Sequence, residues 1–113
     1  MTGIAALLCV LGIGSCGVEP VRCPAGVDGC RSASGEIVYV EAVDPDGDGD
    51  AHFVLLDPGS VTAPGISVID VARELRPRPL PEVGDLLSAA GPVFRGSYQQ
   101  RQIEATEVRV ASG

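Results

Sequence analysis

The chain has 113 residues and a formal net charge of −7, enough for one small domain and acidic enough to repel a polyanion at long range. General nucleic-acid binding is thereby disfavoured, and cations or basic partners are favoured. Aromatics make up 4% with no Trp, while 15 Gly and nine Pro point to turns and short strands packed with Val, Ile and Leu rather than to long helices.

Met1 to Ser15 is apolar, rich in small residues and free of charge. It is too short to span a membrane and has the length of the apolar core of a signal peptide. It ends in Ile13-Gly14-Ser15-Cys16, which resembles a bacterial lipobox: a branched apolar residue, two small ones, then Cys. The resemblance implies a signal peptide over 1–15 and Cys16 as the lipidated first residue of the mature chain. The absence of Lys or Arg ahead of the run departs from that pattern. The expected location is the cell envelope, exported and lipid-anchored on the periplasmic or extracellular side.

Residues 16–35 have no hydrophobic period and are dense in Gly, Pro and Ser, so they are expected to be a tether between the anchor and a domain over 36–111. Export makes the surroundings oxidising, and Cys23 and Cys30 bracket a turn-rich segment, which predicts a disulfide between them. The competing zinc site from all four Cys has no CxxC pair and would need Cys9 from the removed segment.

Glu36 to Val43 is the strongest strand signal, β-branched and aromatic. Ala51 to Leu56 is a second strand, and the Asp/Gly/Pro turn between them predicts an antiparallel hairpin. Ile66 to Val71 is the third. Ala72 to Leu75 has room for one helical turn, which Arg76-Pro77-Arg78-Pro79-Leu80-Pro81 turns into an extended connector. A fourth strand runs from Leu86 to about Phe94, bent at Gly91-Pro92. Gln102 to Val110 is the fifth, with a phase slip between Ala105 and Val108 that implies a bulge or a change of partner. Phe53 and Phe94 are expected in the core.

Five short strands with the longest connector between the third and fourth follow the pattern of a five-stranded Greek-key barrel. The segments Gly35 to Val40, His52 to Leu55, Pro81-Glu82-Val83-Gly84-Asp85-Leu86-Leu87, Gly91-Pro92-Val93 and Ile103-Glu104-Ala105 resemble an OB-fold domain. That resemblance implies an all-β, OB-like barrel with a binding face on its second and third strands. It does not imply a ligand.

Four carboxylates, Asp44, Asp46, Asp48 and Asp50, alternate with Pro45, Gly47 and Gly49 and resemble the start of an EF-hand calcium loop. The twelfth position, which should close the loop with a bidentate acid, is Leu55. A hairpin turn made soluble by Asp and Gly accounts for the same residues, so calcium is kept as a weak alternative and no cofactor is required. The turn together with Ile69-Asp70 also resembles thermonuclease-type enzymes. Gly49 stands where those have Thr, and no Arg precedes Asp70 in its strand to stabilise phosphoryl charge.

His52 is the only His and sits on a strand beside Asp50, where a partly exposed face residue is expected rather than a catalytic base. Arg73, Arg76, Arg95 and Arg101, with Tyr98, flank the connector and the last hairpin. With His52 they form the expected ligand face, open to single-stranded nucleic acid or to a solvated, salt-bridged role. The sequence therefore predicts an exported lipoprotein with a non-enzymatic binding domain, its partner an unidentified protein or small ligand.

Overall fold

A computed structural model describes residues 17–41, 49–96 and 99–113. The fold is all-β: β1 (Cys30–Glu41), β2 (Ala51–Leu56), β3 (Ile66–Val71), β4 (Leu86–Arg95), β5 (Arg101–Glu104) and β6 (Glu107–Ala111), with one 3-10 turn at Arg73–Leu75. The strands pair in the order β1-β2-β3-β5-β4-β6, and β4 also pairs with β1, so the sheet closes on itself. Every pairing is antiparallel except β3 with β5.

Closure depends on long strands that serve two neighbours. β1 gives its first half to β4, from Cys30↔Pro92 to Glu36↔Leu86, and its second half to β2, from Glu36↔Leu56 to Glu41↔His52. A register shift between Ile37 and Tyr39 adds the twist that this handover needs. The corner is at Gly35, where a Cβ would collide with the Leu56 carbonyl. Gly91 plays the same part in β4: a Cβ there would collide with the Glu104 carbonyl, where β4 passes from β6 to β5. Only glycine allows backbones this close.

The phase slip in the last strand is a change of partner. β5 lies between β3 and β4, and β6 then pairs with β4 further along, giving six strands where five were expected. At the break the Ala105 N–H donates to the Asp70 carbonyl (2.9 Å) and the Thr106 N–H to the Ala90 carbonyl (2.8 Å), so both N–H groups stay paired. Inside the ring Ile37, Phe53, Leu55, Ile69, Val71, Leu87, Ala89 and Ile103 form one core.

Two expectations need correction. The described part of the presumed tether belongs to the domain: β1 begins at Cys30, and Val18 and Val21 are buried. The Val21 N–H donates to the buried Ser88 hydroxyl at 2.8 Å, and Ser34 donates to the same oxygen at 2.7 Å. The segment thus covers the outer side of β4, where Ser88 would otherwise face water. Second, Phe94 is 51% exposed, because it lies near the end of β4 on the side opposite the core-packed Val93.

Candidate functional site

Strand register builds a row of four polar side chains on the outer surface of β1, β2, β3 and β5. Glu41 pairs with His52, His52 with Asp70, and Asp70 with Glu104. Since side chains two apart on a strand share a face, the next row on this surface is Tyr39, Val54 and Val68, with Tyr39 58% exposed. The face is therefore apolar along one row and ionic along the next.

His52 is held from both sides. Its Nδ1 lies 2.9 Å from Glu41 Oε1 and its Nε2 3.0 Å from Asp70 Oδ1. The Asp70 contact is an ion pair rather than a well-aligned hydrogen bond, which leaves the buried Oδ1 without a hydrogen-bond donor. Asp70 is the main cause that raises the His52 pKa from 6.5 to about 9; burial opposes it and Glu41 reinforces it. Glu104 is also pushed up, first by desolvation, then by the hydrogen bond and charge of Asp70 and the charge of Asp50.

This arrangement limits the chemistry. With its pKa raised to about 9, His52 favours the charged form at neutral pH, which disfavours it as a general base or a metal ligand. Among the described residues no three or more His, Cys, Asp or Glu side chains are placed to hold a metal ion. Asp44, Asp46 and Asp48 lie outside the described residues; Asp50 is described and acts on Glu104.

The described arginines of the expected ligand face fall into two groups. Arg73 and Arg76 lie with Pro77, Arg78, Pro79 and Leu80 around an open depression of about 450 Å³ at the connector, and Arg76 Nη1 donates to the Gly49 carbonyl at 2.5 Å. Arg95 and Arg101 face each other across β4 and β5, and with Arg31, Gly29, Val93 and Phe94 they line a second depression of about 380 Å³. β5 runs parallel to β3 with Ile103 beside Ile69, so Arg101 is level with the start of β3 while Arg73 lies past its end. The two arginine groups thus occupy opposite ends of the ring. Tyr98 lies outside the described residues.

Cys23 and Cys30 are joined by a disulfide, and among the described residues no cysteine is free. Cys16 lies outside the described residues. Sequence reasoning missed Glu41 and Asp70 as partners of His52, and Glu104 as the neighbour of Asp70, although an acid inside the apolar run Ile66–Val71 was a usable signal. It also missed Arg31, which was assigned to the tether. No protein-family model matches the chain, and no curated protein matches it.

Proposed function

We propose that the chain is an exported, membrane-anchored lipoprotein whose OB-like barrel is a non-enzymatic binding module at the cell envelope. The strand order β1-β2-β3-β5-β4 returning to β1, with β3 and β5 the one parallel pair, supports the OB-like reading. The Cys23–Cys30 disulfide supports an oxidising compartment. Cys16 after Ile13-Gly14-Ser15 supports the lipid anchor.

The observation that carries the binding reading is the Glu41–His52–Asp70–Glu104 row, set beside exposed Tyr39 on the surface of β1 to β3. Its titratable groups engage one another, which suits recognition rather than proton transfer to a substrate. Its excess of carboxyls disfavours nucleic acid on this face and favours a partner that presents cationic and apolar groups.

Two measurements test this reading. The mass of the mature protein from its native membrane should show a diacylglyceryl group on Cys16 and a two-proton deficit for the Cys23–Cys30 pair. An unmodified Met1 chain in the cytosol would overturn it. Photo-crosslinking from p-benzoylphenylalanine at Tyr39 in intact cells should give a discrete envelope adduct, and the absence of any adduct at that site would count against a binding module.

A further inference from the structure

The end of the ring formed by β4 and β5 carries charge that no ion pair among the described residues balances. Arg95 and Arg101 are directly opposite on antiparallel strands, and Arg31 lines the same depression. Among the described residues none of the three makes an ion pair; Arg95 Nη1 only donates to the Gln99 carbonyl at 3.1 Å. Like charges directly opposite in a sheet are destabilising, so the domain tolerates a repulsion that a bound anion would remove. Guanidinium forks suit that task because they bind carboxylates in bidentate fashion. Phe94, on the side of β4 opposite Val93 and Arg95, is half exposed and lines the same depression, which gives it an apolar rim.

The chemistry of the occupant follows from scale and charge. The depression, at about 380 Å³, lies toward the lower end of the volumes that small ligands fill. A long polyanion would meet the carboxyl row and the net charge of −7 elsewhere on the molecule. A segment with two or three charges and one apolar side chain fits better.

We propose that Arg31, Phe94, Arg95 and Arg101 form the docking site for a short acidic peptide segment of a partner protein. Its carboxylates engage the three guanidinium groups, and an adjacent apolar side chain lies on Phe94. The site is at the far end of β4 from Leu86, the residue Gly17 packs against, so a chain anchored upstream of Gly17 presents it away from the anchored end. This rests on the reading of the domain as a binding module.

The test uses the full chain in neutral-detergent micelles and fluorescence anisotropy at low salt. The probe is a labelled five-residue peptide of two Asp, one Phe and two Glu, compared with its Asn/Gln counterpart and with a fifteen-nucleotide oligo-dT. The acidic peptide should bind and its neutral counterpart should not. The Arg95→Ala/Arg101→Ala double variant should weaken binding at least tenfold while its Tm stays level or rises, since a repulsion has been removed. Phe94→Ala should weaken binding several-fold and serves as the second variant if the double variant does not fold. No binding of the acidic peptide, undiminished binding in the folded variants, or tighter binding of oligo-dT would each overturn the proposal. If the Tyr39 crosslink persists in that case, the binding-module reading stands without this site.

Discussion

Asp70→Asn preserves the shape of a side chain that is 5% exposed while removing the charge that does most to hold the His52 proton. In the native chain the His52 pKa is raised from 6.5 to about 9. A basic group whose pKa rises on folding contributes stability that is fully present below its unfolded value and is lost as pH climbs through its folded value. The window for His52 is therefore pH 6.5 to about 9. At about 1.4 kcal/mol per tenfold the rise corresponds to roughly 3 kcal/mol, but the His52 side chain is 34% exposed and water screens its partners, leaving about 1–2 kcal/mol.

Because the chain has a single His, one set of ring signals in an NMR titration reports the midpoint without ambiguity. The native midpoint should lie near 9, and Asp70→Asn should move it toward 6.5, with Glu41 still holding it somewhat higher. Urea unfolding should show the native protein losing stability across that window and the variant losing less. A native midpoint close to 6.5, or one that Asp70→Asn leaves in place, would refute the assignment of Asp70 as the main partner.

Glu104→Gln should raise the Tm slightly at pH 7 and leave it unchanged at pH 3, because desolvation and Asp70 disfavour the ionised form of Glu104; a scan at the two pH values checks this. Phe53→Ala should cost about 3–5 kcal/mol, since the ring is fully buried at the centre of the core, as read from the urea midpoint. Reducing the Cys23–Cys30 bond should cost about 2–3 kcal/mol by freeing a short loop in the unfolded chain, seen by comparing urea curves with and without a phosphine reductant.

The parts of the fold legible in the sequence are those set by local pattern. β2, β3 and β4 appear where β-branched and apolar residues cluster between turn formers: β2 alternates in burial, while β3 and the first half of β4 are short apolar runs buried on both faces, and both patterns are written into neighbouring residues. The phase slip near Ala105 announced the split between β5 and β6 for the same reason. Residues 17–35 carry no such pattern. Their order comes from partners remote in the chain, such as Ser88, which lies 67 positions from Val21.

The candidate site divides in the same way. His52 was visible as a lone His, but its two carboxylate partners are chosen by the β1–β2 and β2–β3 registers, which place Glu41 and Asp70 on either side of it. The six residues expected to share one ligand face were grouped by loop position, yet the parallel β3–β5 pairing sends Arg73 and Arg101 to opposite ends of the ring. Phe53 and Phe94 are equivalent as residue types; only the position of Phe94 near the end of β4 leaves its ring in water. Composition and local alternation therefore determined the acidic character, the strands and the all-β class. Closure of the sheet, a long-range choice of register and partner, decided which charges meet, which stay unbalanced and which surfaces are open to another molecule.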